Sequence, residues 1–172
     1  MSRAEREEAD AVDEIVEQWG RERPDLDPSP ISVFGRLHRS YLRYQDVLAR
    51  TFGAHDVNAA SFDVLASLRR SGAPYRRAGV QLAREGLLSS AGTTLRLDRL
   101  EQQGLIERQR DPHDRRVVYS SLTPAGLALI DALIGEHLAA EEAMLANLTA
   151  TERRQLSALL RKLESSITAE PS

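Results

Sequence analysis

Cysteine is absent from the 172 residues. No disulfide framework, thiolate nucleophile, cysteine zinc site or cysteine redox sensor is therefore available. Aromatic residues are scarce at 5%, with Trp19 the single tryptophan. Lysine is scarcer: Lys162 is the only one, and arginine supplies nearly all the positive charge. Arginine suits bidentate contact with phosphate, carboxylate or a planar ligand. Long apolar runs are also missing. The longest uncharged stretch, residues 117–130, contains Ser, Thr and Pro and is too short to cross a bilayer. The charged N-terminus has no apolar signal-peptide core, so a cytoplasmic location without membrane attachment is the default expectation. The histidines His38, His55, His113 and His137 have no metal-ligand spacing. No P-loop, dinucleotide fingerprint or nucleophile elbow occurs. These absences point away from an enzyme and imply neither metal nor cofactor.

What is present is an ordinary globular composition, 41% apolar and 28% charged, with the length of one domain. The net charge is −3, from 23 basic and 26 acidic residues. An acidic chain is unusual for a nucleic-acid binder, but the distribution answers this objection. Residues 1–28 carry net −6 and residues 122–172 net −3, whereas 29–75 and 76–121 each carry net +3. The middle of the chain is basic.

Apolar spacing predicts helices over most of the length. Val12, Ile15, Val16 and Trp19 form one stripe on a helix over 4–20, closed by Gly20 and the prolines Pro24, Pro28 and Pro30. A second helix over 31–53 has Phe34, Leu37, Tyr41, Leu42, Leu48 and Phe52 as its inward residues. Asn58 caps a third, over 59–70, with Phe62, Leu65 and Leu68 inward. A short helix over 79–85, the turn Gly86-Leu87-Leu88 and a helix from Ser89 or Ser90 to Gln103 form a helix-turn-helix, stopped by Gly104. The period then changes. Residues 105–110 and 116–122 read as strands joined by Asp111-Pro112-His113-Asp114-Arg115, a hairpin in the position of a wing. Thr123 and Pro124 start a long helix, and Thr149-Ala150-Thr151-Glu152 has the capping-box pattern of a last one. The fold class is mainly α with a small β-hairpin wing. The stripes of the terminal helices exceed what a small winged-helix unit can cover. They fit a partner subunit or a larger monomeric bundle, and a homodimer is the simpler home.

On the second helix of the helix-turn-helix, Thr93, Leu97 and Leu100 share the core face. Ala91, Thr94, Leu95, Asp98 and Arg99 lie opposite. With Ser89 and Ser90 at its start, this face suits phosphates and base edges in a major groove. Arg115 and Arg116 at the hairpin tip suit a minor groove, and Asp114 can pair with Arg116 to aim the tip. From pattern alone, Trp19 reads as a packed aromatic and Asp63 as a solvated acid near a helix N-terminus. Arg96 reads as an arginine with a packed stem, and Arg108 as an exposed strand charge.

The runs Leu87-Leu88-Ser89-Ser90, Arg96-Leu97-Asp98-Arg99-Leu100-Glu101, Gly104-Leu105-Ile106, Asp111-Pro112-His113-Asp114-Arg115-Arg116 and Ser121-Leu122-Thr123-Pro124-Ala125-Gly126 resemble the MarR family of dimeric transcriptional regulators. The resemblance covers nearly the whole chain. It implies one MarR-type domain over 1–172: an added N-terminal helix at 4–20, dimerisation helices at 31–53 and 123–168, and a DNA-binding region at 58–122. Gln18-Trp19, Arg23-Pro24-Asp25-Leu26-Asp27, residues 62–70 and Pro74-Tyr75-Arg76 resemble the urate-responsive branch of that family, the PecS- and HucR-type regulators. That likeness places the branch's ligand set on Trp19, Asp63, Arg96 and Arg108. It implies a homodimeric repressor that leaves double-stranded operator DNA when urate or a similar small anion binds. One departure stands out: Leu95 occupies a DNA-facing position where the branch carries Asn. It keeps in view a helical dimer acting by protein contact, alongside the same fold tuned to another aromatic or carboxylate ligand.

Overall fold

The computed structural model describes residues 9–84, 90–114 and 116–168. The chain divides into two units, Met1–Arg50 and Thr51–Ser172.

In the first unit, α1 spans Ala11–Glu22. Its start is fixed by a capping box. The Asp10 carboxylate accepts from the Val12 and Asp13 amides at 2.8 and 3.2 Å, and Asp13 accepts from the Asp10 amide at 2.9 Å. Helix α2, Pro30–Gly53, opens with proline at its first position, where the missing N–H costs nothing. Arg36 on α2 binds both carboxylates of the capping box, Asp13 at 2.6 Å and Asp10 at 3.1 Å. Beside it Gly35 makes room for the buried Val12: a Cβ at Gly35 would stand 2.9 Å from a Val12 methyl. Gly20 does not end α1, which continues until Arg23 caps it just before Pro24. Phe34, Leu37, Tyr41 and Leu42, expected inward, are exposed, while Leu48 and Phe52 are buried.

The second unit holds the wing and the two helices of the expected helix-turn-helix, whose turn Gly86-Leu87-Leu88 lies outside the described residues. Asn58 caps α3, Ala59–Arg70, through its side-chain oxygen and the Ser61 amide at 2.8 Å. Phe62, Val64, Leu65 and Leu68 of α3 are buried and form the centre of the core. Strand β1, Arg76–Ala78, leads into the short α4, Gly79–Arg84. Helix α5, Ser90–Gln102, ends at Gly104, which takes φ +69 to close the turn. Leu97 and Leu100 face inward, as the spacing predicts. Strands β2, Ile106–Arg110, and β3, Val118–Leu122, form the wing hairpin, pairing Ile106 with Leu122 and Arg110 with Val118. The sheet has a third member that sequence reading missed: β1 pairs antiparallel to β3, in the order β1-β3-β2. Arg76 on β1 lies over the Tyr119 ring at 3.9 Å.

Helix α6, Pro124–Met144, starts with Thr123 as N-cap. The Thr123 hydroxyl donates to the Gly104 carbonyl at 2.7 Å, and its amide donates to Leu105 at 3.1 Å. These bonds tie the end of α5 to the start of α6. Gly126 is required here, because a Cβ would collide with the Leu105 carbonyl oxygen. The face of α6 that packs inward runs through Gly126, Ile130 and Leu133, while Leu138 is 56% exposed. Apolar residues stand on several sides of the helix, with Asp131, Glu136, Glu141 and Glu142 between them, and the single chain buries only one side. Helix α7, Ala150–Thr168, has the expected capping box, with Thr149 and Glu152 bonding each other's backbone amides. None of its residues is buried, and Leu156, Leu159, Leu160 and Ile167 are exposed. No helix among the described residues is long and apolar enough to cross a membrane.

Candidate nucleic-acid interface and effector site

The outer face of α5 carries Thr94, Leu95 and Arg99, all exposed, with Leu95 at 73%. An exposed leucine of this size on a recognition helix offers apolar contact to a thymine methyl rather than a hydrogen bond. Arg99 reaches Asp56 at 3.2 Å, and Gln103 bonds the same carboxylate at 3.3 Å. Asp56 thus anchors α5 to the loop before α3. Of the other expected DNA contacts, Ser89 and Arg115 lie outside the described residues, as do the side chains of Ser90 and Ala91.

At the wing tip the Asp111 carboxylate accepts from the amides of His113 and Asp114, shaping the turn. Asp114 binds the Arg116 guanidinium through two 3.0 Å bonds, as its spacing suggests. Arg116 is 90% exposed, so this pair adds little stability but gives the cation a preferred direction.

The four expected ligand residues divide. Trp19 is half exposed on α1 of the first unit rather than packed away. Asp63 and Arg96 both lie in the second unit, close enough for the Arg96 charge to act on the Asp63 carboxyl. Burial pushes the Asp63 carboxyl above the usual carboxylate range, against the opposing pull of Arg70, His137 and Arg96. The Nη1 of Arg96 is buried and has no hydrogen-bond partner among the described residues. A buried guanidinium nitrogen left in this way carries a desolvation cost that an acceptor would relieve. Arg108 is committed elsewhere. Its Nε donates to Glu101 at 2.8 Å and its Nη2 donates to Asp98 at 2.6 Å. These bonds, the one to Glu101 foremost, hold Arg108 in its charged form.

His137 was missed by sequence reasoning. Its ring lies 4.7 Å from Phe62 and 5.7 Å from Phe52, which are themselves stacked at 4.5 Å. Its Nε2 meets Glu141 at 3.2 Å, while its Nδ1 is buried without a partner among the described residues. The available signal was helical spacing: His137 follows the buried Ile130 by seven residues and Leu133 by four.

A recognition helix with an exposed outer face, braced by a core helix and followed by a hairpin wing to which β1 adds a third strand, defines a winged helix-turn-helix DNA-binding protein. Comparison with known proteins agrees. The MarR family profile matches residues 57–118. PecS of Dickeya dadantii is 40% identical over 153 residues, covering 89% of this chain and 92% of PecS. Among solved structures, BpsR of Bordetella bronchiseptica, whose DNA binding is regulated by 6-hydroxynicotinic acid, superposes with a TM-score of 0.69 at 28% identity, over 77% of this chain and 98% of BpsR. A cysteine-to-serine mutant of Escherichia coli MarR in complex with operator DNA gives 0.65 at 27% identity, over 90% of this chain and 99% of MarR. The chain belongs to the MarR family, on its PecS-like branch, and is a DNA-binding transcriptional regulator rather than an enzyme.

Proposed function

We propose that this regulator is a homodimeric repressor that a small planar anion, urate or a close analogue, releases from a pseudo-palindromic operator. Two recognition helices in successive major grooves need a dimer that sets them about 34 Å apart, one helical turn. The exposed apolar faces of α6 and α7 support such a dimer. The observation that carries the effector reading is the pair Asp63 and Arg96: a carboxyl pushed up by burial, within the field of a guanidinium whose buried nitrogen has no acceptor among the described residues. Urate is a planar, weakly acidic purine with carbonyl acceptors and N–H donors. Arg96 would meet its anionic edge through a flat donor fork, and Asp63 would accept from a ring N–H. Trp19 and Arg108 complete the proposed ligand set. Because Arg96 stands on the recognition helix, drawing it toward a ligand biases the pose of that helix, and DNA binding falls in proportion to the ligand's preference for the released state. The regulation of BpsR by 6-hydroxynicotinic acid supports a planar aromatic anion as the effector class.

The test is a titration of a duplex selected by the protein from a random pool, with urate, 6-hydroxynicotinate and a tricarboxylate in parallel. Urate is expected to release DNA, quench or shift Trp19 fluorescence and raise the melting temperature. Release relative to each variant's own DNA affinity is expected to fall at least about tenfold in Arg96→Ala. If fluorescence, melting and DNA affinity all ignore urate, the urate assignment fails. If all three compounds are ignored, the anion reading fails with it.

A further inference from the structure

Arg108 has a structural part to play before any effector arrives. On β2 it follows the buried Ile106 by two residues, so both side chains leave the strand on the same face, the face toward α5. There the guanidinium spans two carboxylates of the recognition helix, Asp98 and Glu101, with Nη2 2.6 Å from each. Asp98 stands four residues after Thr94 and three after Leu95, both exposed, and so belongs to the row that continues the outer face of α5. Two acidic groups on a helix that enters a groove lined with phosphates oppose binding, since affinity for DNA is set first by charge.

We infer that Arg108 is a positioning and charge-masking residue for DNA binding: it neutralises Asp98 and Glu101 and fixes the base of the wing to the recognition helix. With Arg108 in place the cluster carries one net negative charge; without it the cluster carries two, beside the DNA. The pair geometry also explains why acidic residues are tolerated on this helix at all. An effector that drew Arg108 away would uncover both carboxylates, so release would gain an electrostatic push.

The inference stands apart from the urate reading, because its test contains no effector. DNA affinity is measured on a selected duplex of about 30 base pairs, enough for two half-sites, for the full chain and for three variants. Arg108→Gln is expected to bind about tenfold more weakly at low salt, with the ratio to wild type shrinking as salt rises and screens the uncovered acids. Asp98→Asn and Glu101→Gln, added to Arg108→Gln, are expected to restore affinity to within about threefold of wild type, because the repelling charges are gone. Arg108→Lys keeps the charge but not the two-bond fork, guards against a misfolded glutamine variant, and is expected to bind between wild type and Arg108→Gln. Undiminished binding by Arg108→Gln overturns the inference. So does a triple variant that stays as weak as the single one while melting like wild type, or a lysine variant as weak as the glutamine.

Discussion

Burial of the Asp63 carboxyl works against the folded state of the free protein. Its pKa is raised on folding, so the protonated form suits its site better than the ionised form. A group of this kind adds stability only below its unfolded pKa, and that contribution is lost as pH rises through the higher folded value. Ionising the carboxyl in this site is therefore a cost to folding. Asp63→Asn is expected to melt at a higher temperature than wild type at pH 7, with the gap closing as pH falls below the carboxylate range. Equal melting temperatures at pH 7 would show that Arg70, His137 and Arg96 already compensate fully. Asp10 and Asp13 run the other way, since hydrogen bonds and Arg36 hold both carboxyls below the usual range. Only family likeness singled out Asp63 and Arg96 as ligand residues in the sequence. Helical spacing made one a solvated acid and the other a snorkelling cation, because spacing records which face a residue takes and not what lies across from it. His137 was hidden for the same reason.

Element boundaries that rest on neighbours in the chain were the most legible. Asn58, Thr123 and the Thr149–Glu152 pair all cap the helices they appear to cap, because a side chain reaching its own N2 or N3 amide needs nothing from elsewhere. Strand β1 was not legible. Arg76-Arg77-Ala78 shows no alternation of apolar and polar residues, and it is a strand because β3 offers a free edge. Periodicity alone could not choose between Leu133 and Leu138 on α6, because apolar residues stand on several sides of that helix. The junction of α5, β2 and α6 is the most constrained of these contacts. Gly126→Ala places a methyl against the Leu105 carbonyl, and that oxygen cannot yield without loss of the bond from the Thr123 amide. The variant is expected to lose at least about 2 kcal/mol in urea unfolding. A loss within about 0.5 kcal/mol, the range of surface substitutions, would mean the junction relaxes freely.

At the scale of the molecule, the acidic balance that seemed to speak against DNA sits on the terminal segments, and the reading head is basic. Uncovered apolar area lies on α2 and on the C-terminal helices. Leu159 is 65% exposed and Leu160 43%, on a helix with no buried residue. In a homodimer these side chains pack, and replacing both with Glu is expected to shift sedimentation from dimer to monomer and to abolish tight operator binding together. A wild-type chain that sediments as a monomer at micromolar concentration would remove the dimer from the proposal.

The two hydrogen bonds from Thr123 to Gly104 and Leu105 have a mechanical consequence. Helix α6 has 21 residues, a rigid arm of about 30 Å at 1.5 Å per residue. Pivoting at its first turn, a tilt of about 10° carries its far end through about 5 Å. The pivot is bonded to the turn that closes the recognition helix, so the arm works in reverse as well. A displacement of several ångströms at the distal end of α6 becomes a rotation of a few degrees where α5 meets the groove, geared down to the scale on which a hydrogen bond to a base edge is made or lost.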